Sequence, residues 1–78
     1  MFYVYVIRSE SSGKLYTGQT DNLARRIDAH NKGLSRYTNK RGPWKLVYSE
    51  ELNTRTDALK REKFLKSGKG REFLRTIL

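Results

Sequence analysis

The sequence predicts an α+β fold, a small antiparallel-type sheet with helices packed on it in the order ββαβαα. Three observations lead there. Phe2 to Ile7 form an unbroken β-branched and aromatic run that suits a strand. Two later stretches carry apolar residues at helical spacing behind residues able to cap a helix, and 78 residues give length for one core only. Residues 1–78 are therefore read as a single domain.

Phe2-Tyr3-Val4-Tyr5-Val6-Ile7 is apolar on both alternating faces, the pattern of a strand covered on both sides and hence central in its sheet. Ser11-Ser12-Gly13 supplies turn chemistry, and Lys14-Leu15-Tyr16-Thr17-Gly18 returns as a second strand to make a hairpin. Asp21-Asn22 offers side-chain oxygens to the exposed first-turn amides of a helix running to about Asn31, and Gly33 can take the left-handed conformation beyond its end. Residues 32–43 form a polar, basic connection closed by Gly42-Pro43. Trp44-Lys45-Leu46-Val47-Tyr48-Ser49 then alternates with period two as a third strand. Thr54 or Thr56 opens a second helix that runs through Lys66 and ends at Ser67-Gly68. Phe73, Leu74, Ile77 and Leu78 sit at helical spacing in a short closing helix.

Seventeen Lys+Arg against eight Asp+Glu leave a net charge of +9, which points to a polyanionic partner. A membrane is not the expected one: no apolar run approaches the ~20 residues of a bilayer span, and no amphipathic helix carries large apolar anchors. The absence of Cys excludes disulfides, thiolate metal sites and thiol nucleophiles, and a single His excludes sites built on two or more. No signal-peptide core opens the chain, so the cytoplasm is the expected location.

Two charged residues fall where a core is expected. At about 100° per residue, Leu23, Ile27 and His30 share one stripe of the first helix with Arg26 on its edge, whereas Arg25 points away. On the second helix Ala58, Leu59 and Leu65 define the inward stripe, and Glu62 falls in its middle. An ionised side chain aimed inward is costly unless it is paired or solvated. A buried Arg26–Glu62 ion pair, stems that snorkel at the stripe's edge, or a polar cleft shared by both helices would each resolve the conflict. The same anomaly on both helices, beside a tyrosine-rich strand, points to the cleft.

Tyr3 and Tyr5 share one face of the first strand; Tyr16 and Gly18 share one face of the second. A hairpin closing near residue 12 brings Tyr5 and Tyr16 together, and Gly18, without a Cβ, leaves space on that face. A strand tyrosine is ordinarily an apolar ring with its hydroxyl at the rim. A phenol beside Arg26, His30 and Glu62 can instead transfer protons, provided its pKa of ~10 is lowered or a neighbour takes its proton.

The ordered set Tyr3-Val4-Tyr5, Tyr16-Thr17-Gly18, Asp21-Asn22-Leu23-Ala24-Arg25-Arg26 with His30, and Ala58-Leu59-Lys60-Arg61-Glu62 resembles the GIY-YIG nuclease domain over nearly the whole chain. It is most similar to the small stand-alone bacterial branch. The resemblance implies a three-stranded antiparallel sheet flanked by helices, and cleavage of a DNA phosphodiester with one divalent metal, Mg²⁺ or Mn²⁺. Tyr5 matches the last position of the first tripeptide and Tyr16 the first position of the second. Arg26 matches the family's helix arginine, Glu62 its metal-binding glutamate, and His30 a position held by His or Tyr. Tyr3 departs from the family's Gly, Thr17 from its Ile, and Gln19 stands where some members carry Lys.

These residue types suit that chemistry. One carboxylate, Glu62, can hold a Mg²⁺ that keeps most of its waters. Arg26 can make bidentate phosphate contacts. Tyr5 or Tyr16, with Tyr5 preferred, would deprotonate or orient water, and His30 would accept a proton or hold a phenol in place.

Lys32, Arg36, Lys40 and Arg41 flank Tyr37 in the connection, and Lys60, Arg61, Lys63, Lys66, Lys69 and Arg71 crowd the later helices. Such cations can track a phosphate backbone, with Tyr37 or Trp44 available for base stacking. Lys32, Arg36, Tyr37, Lys40, Arg41 and Lys66 are the candidates for nucleic-acid contact. No groove-entering motif indicates sequence-selective readout. The expected function is a metal-dependent DNA endonuclease acting on structured, branched or damaged DNA; the alternative is a non-catalytic DNA- or RNA-binding module on the same fold. Expected partners are DNA and a targeting protein, and the expected state is a monomer or weak dimer.

Overall fold

The doubly apolar run near the start of the chain becomes the centre of the sheet. In the computed structural model, which describes residues 1–34, 38 and 41–78, β1 (Phe2–Ser9) is flanked by β2 (Leu15–Thr20) and β3 (Trp44–Leu52), both antiparallel to it, in the order β2-β1-β3. Helices α1 (Leu23–Asn31), α2 (Arg55–Lys66) and α3 (Gly68–Ile77) complete the ββαβαα order read from the sequence. Among the described residues, no helix is long and apolar enough to cross a membrane.

Because β1 is apolar on both faces, it supports two cores. Val4 and Val6 pack with Ala58 and Leu65 of α2 and Leu74 of α3, joined by Phe2, Val47, Tyr48, Leu52 and Phe73. On the other face Tyr5 and Ile7 pack with Trp44 and with Tyr16, Leu23 and Ile27, which brings in α1. Val4, Val6 and Ile7 are wholly buried; removing each such side chain from water contributes about 1.5–3 kcal/mol.

The third strand is longer than its sequence alternation suggests, and it changes face part-way. Val6 pairs with Tyr48 but Ile7 with Leu46, so Val47 is the extra residue of a bulge. Trp44 consequently joins Tyr5 and Ile7, while Tyr48 joins Val4 and Val6 on the opposite face. The simple period-two reading of residues 44–49 is corrected there.

Capping follows the side-chain chemistry. Asn22 Oδ1 accepts from the Arg25 N–H at 3.1 Å to start α1, and Gly33 beyond its end has φ +75°. Asn31 ties the last turn of α1 to β3: its Oδ1 accepts from the Trp44 N–H at 2.7 Å and its Nδ2 donates to the Trp44 carbonyl at 3.1 Å. Thr54 caps α2 by accepting from the Asp57 N–H at 3.1 Å, which leaves Thr56 inside the helix. Ser67 ends α2 and caps α3, accepting from the Gly70 N–H at 3.2 Å. The turn is so tight that a Cβ on Gly70 would overlap the Phe64 carbonyl oxygen and stand 2.5 Å from Leu65 Cα. Only a residue without a side chain lets α3 fold back on α2 in this way.

Ala58 and Leu65 form the inward stripe of α2. Leu59, expected on that stripe, is 50% exposed; one residue beyond Ala58 turns it about 100° away from the sheet. Arg61 and Glu62 lie on opposite flanks of the stripe. Arg61 Nε reaches both Glu50 oxygens of β3, at 2.9 and 3.0 Å, and Tyr48 donates to the same carboxylate. Burial opposes the Glu50 charge, but the hydrogen bonds from Arg61 and Tyr48 together hold its pKa below the ordinary carboxylate value. With Arg61 anchored to β3, Glu62 faces the β2 side of the sheet. At the other end of the helix Arg55 reaches Gln19 of β2 at 3.2 Å.

Candidate active site

Strand pairing sets Tyr5 opposite Gly18 and Ile7 opposite Tyr16, so the two tyrosines are diagonal neighbours with ring centroids 6.4 Å apart. Gly18 makes the arrangement possible. A Cβ there would stand 2.6 Å from Tyr5 Oη, 2.8 Å from Tyr5 Cζ and 3.2 Å from Tyr16 Cε1. The Tyr5 phenol therefore lies over the backbone of β2, the edge strand, with its hydroxyl carried toward the edge of the sheet.

Helix α1 delivers two groups one turn apart to that hydroxyl. Arg26 Nε–H donates to Tyr5 Oη at 3.4 Å, and His30 Nε2 lies 2.8 Å from the same oxygen. The His30 ring, 1% exposed, packs edge-on against Tyr16 with centroids 5.0 Å apart. Its Nδ1 lies 2.7 Å from Thr38 Oγ1, and the Thr38 carbonyl accepts from Trp44 Nε1 at 3.1 Å. Arg26, Tyr5, His30 and Thr38 thus form one continuous line from a half-buried guanidinium to a buried hydroxyl.

The electrostatics of this line oppose one another. Burial raises the Tyr5 pKa above that of an ordinary phenol; the Arg26 hydrogen bond and charge pull it down, and the charges of Tyr16 and Glu62 push it up again. Burial, helped by the Arg26 charge, lowers His30 to about 4, so its imidazole is neutral at pH 7. Arg26 is held firmly as a cation, its pKa raised chiefly by the Tyr5 hydrogen bond.

Glu62 approaches from the α2 side. Its side chain is 20% exposed, and Lys66, one turn later, places Nζ 2.7 Å from Glu62 Oε2. The Glu62 charge is felt at Tyr5. Among the described residues the ion pairs are Lys32–Asp28, Arg61–Glu50 and Lys66–Glu62, so Arg26 and Glu62 are not locked to each other. Also among the described residues, no group of three or more His, Cys, Asp or Glu could hold a metal. The donor chemistry suits an ion that needs one protein ligand: a single, partly solvated carboxylate that already draws a cation, the Lys66 ammonium. Mg²⁺ binds in that way, through one or two carboxylates while keeping several waters.

The family model described as the GIY-YIG catalytic domain matches residues 1–74. This chain belongs to the GIY-YIG family. A UPF0213 protein of Clostridium perfringens is 46% identical over 67 residues, covering 85% of this chain and 71% of that protein. A UPF0213 protein of Staphylococcus aureus is 40% identical over 76 residues, covering 96% and 92%. The solution NMR structure of a UPF0213 protein from Bacillus halodurans matches with a TM-score of 0.57 at 34% identity, covering 97% of this chain and 84% of that one. The GIY-YIG resemblance and the small stand-alone branch read from the sequence both hold.

In this GIY-YIG chain Tyr5, Tyr16, Arg26 and His30 converge in one cluster, whereas Glu62 stands on α2 paired with Lys66, its charge the smallest of the influences on the Tyr5 pKa. The candidate nucleic-acid contacts fare differently. Lys66 stands at the site through Glu62. Lys32 is exposed and paired with Asp28 at 2.8 Å. Arg41 is exposed, and its carbonyl accepts from Ser9 Oγ at 2.6 Å. Arg36, Tyr37 and Lys40 lie outside the described residues. The sequence offers Trp44 for base stacking, but the structure withdraws it: the indole is 4% exposed in the α1 core, with its N–H used by Thr38. Thr38 is the site residue that sequence reasoning missed. It follows His30 by eight positions, beyond the end of α1, and no spacing rule joins such a threonine to a helix histidine.

Proposed function

We propose that this GIY-YIG domain is a divalent-metal-dependent DNA endonuclease that hydrolyses phosphodiester bonds in structured, branched or damaged DNA. The observation that carries the reading is the meeting of an arginine and a neutral imidazole at one phenolic oxygen, within reach of a carboxylate's charge.

A phenol whose pKa is raised by burial is a poor base by itself at pH 7, so its proton needs an acceptor. His30 Nε2 is the acceptor within reach, in the tautomer that protonates Nδ1 and donates it to Thr38 Oγ1. Burial and the Arg26 charge disfavour its protonation, and a phosphodiester anion arriving at Arg26 offsets the second of these. Tyr5 then takes a proton from the attacking water while passing its own to His30. The resulting hydroxide attacks phosphorus in line, and the 3′ oxygen departs. Tyr16, edge-on to His30, fixes the imidazole. Arg26 binds the phosphate oxygens as charge grows on them, a planar, permanently charged donor set suited to that task. Glu62 would hold Mg²⁺ or Mn²⁺, which when bound neutralises charge on the phosphate and the leaving oxygen.

A panel of single-stranded, duplex, nicked and branched DNAs, incubated with Mg²⁺, Mn²⁺ or EDTA, tests the proposal. Cleavage is expected in either metal, none in EDTA, and none with Arg26→Ala despite an unchanged circular dichroism spectrum. Binding across the panel without cleavage in either metal would replace the enzyme by the non-catalytic nucleic-acid-binding module.

A further inference from the structure

On the α2–α3 face of the sheet, an open groove of about 1050 Å³ runs between the β1–β2 hairpin, the last turn of α2 and one face of α3. Its charged lining is cationic: Arg8 and Lys14 stand on the hairpin side, and Lys66, Arg71 and Arg75 on the helical side. No aspartate or glutamate is among its described lining residues. Its apolar lining is Leu15, Leu65, Leu74 and Leu78, of which Leu65 and Leu74 are buried in the core and Leu15 and Leu78 remain open. Leu15 is 40% exposed, so apolar surface is left open between two cationic rims.

We infer that this groove binds an unpaired segment of a DNA strand, with phosphates on the rims and bases against the open leucines, and leads it to the candidate active site. The rims match a polyanion in charge. The open Leu15 and Leu78 side chains select among polyanions, because a single strand can lay its unstacked, apolar base faces on them, whereas a duplex keeps its bases stacked inside. Two residues join the groove to the cluster already described. The link runs across the edge strand β2: Tyr16 borders the groove, while its ring packs on His30 on the α1 face of the sheet, and Lys66 lines the groove and pairs with Glu62. The destination of the strand rests on the nuclease reading; the binding is measurable without turnover.

Fluorescence anisotropy in EDTA, with a fluorescein-labelled oligothymidylate about twenty nucleotides long, gives the test. Arg71→Ala/Arg75→Ala is expected to weaken binding about tenfold and to reduce the slope of log K against log salt by about 1.4, or ~0.7 for each phosphate no longer neutralised. Arg25→Ala/Lys45→Ala removes the same charge from exposed positions on α1 and β3, and is expected to change affinity less than about twofold. Lys14→Ala, on the opposite rim, is expected to weaken the same oligonucleotide about threefold, which keeps the test open if the α3 variant is destabilised. Equal losses from the two double variants, an equal loss for duplex DNA, or equally tight binding of an oligoglutamate would each overturn the inference. Groove-dependent binding without any cleavage by the wild type would sink the nuclease reading alone. Cleavage with no groove-dependent binding would sink the groove alone.

Discussion

Replacing Gly18 by alanine probes whether the position of the Tyr5 hydroxyl is fixed by its neighbours. The new Cβ would meet Tyr5 Oη at 2.6 Å and Cζ at 2.8 Å. Ordinary contact begins near ~3.4 Å, so the tip of the ring must retreat by about 0.8 Å. A displacement of that size alters the 2.8 Å contact to His30 or the 3.4 Å contact from Arg26 by more than a hydrogen bond tolerates. Overpacking of this kind costs about 1–3 kcal/mol. In a domain of this size each kcal/mol lowers Tm by about 4–8 °C, so a fall of about 5–20 °C is expected by circular dichroism. Single-turnover cleavage should drop about 100-fold, the usual consequence of misplacing a reacting group by about an ångström. Tyr5→Phe removes the oxygen that meets the new methyl most closely, so Gly18→Ala should destabilise less in that background. Wild-type Tm and cleavage in Gly18→Ala, or an identical loss of Tm with and without the Tyr5 hydroxyl, would refute the reasoning.

Three further outcomes are expected. A histidine whose pKa is about 4 when folded and ~6.5 when unfolded has no effect on stability well above pH 6.5; it opposes folding increasingly as pH falls toward 4, by about 3 kcal/mol in total. Urea melts between pH 7 and pH 4 should show that decline in the wild type and a flatter profile in His30→Gln; parallel profiles would contradict it. Arg26→Lys keeps the charge but loses the planar fork, so cleavage should fall at least about 100-fold with Tm little changed, and a wild-type rate would remove the guanidinium from the mechanism. Gly70→Ala should lower Tm even though alanine is favoured over glycine in a helix by about 1 kcal/mol, because the backbone at Phe64 and Leu65 cannot move aside. A raised Tm would mean that α3 does not fold back on α2 so closely.

Much of this architecture was legible because it is written in local periodicity. The doubly apolar pattern of Phe2 to Ile7 identifies the central strand, and the Asn22 and Thr54 side chains mark helix starts, while Ser67, read only as the end of the second helix, also caps the third. Arg26 and Glu62 could be singled out because charge on an inward stripe is a physical conflict visible without coordinates. Where the sequence misled, pairing or helix phase decided. Ala58 and Leu59 are both apolar, and the packing of Ala58 and Leu65 on β1, with Arg61 tied to Glu50 and Arg55 to Gln19, leaves the larger Leu59 facing outward. The bulge at Val47 is a property of the β1–β3 register, so the face change of β3 cannot be read from that strand alone. Trp44 looks like a stacking platform in a basic segment until packing buries it beneath α1. Thr38 and the groove cations Arg8, Lys14 and Arg75 meet their neighbours only through chain folding over long separations, which leaves no local signature.

Single-turnover cleavage of a labelled branched DNA in Mg²⁺, wild type against Glu62→Gln, tests most directly whether a carboxylate from α2 and the Tyr5–Arg26–His30 cluster form one hydrolytic centre. The variant is expected to cleave at less than about one-hundredth of the wild-type rate, with oligothymidylate binding in EDTA retained and Tm nearly unchanged, since it loses only a Lys66 pair whose ammonium is half exposed. Equal rates in wild type and Glu62→Gln would contradict the account.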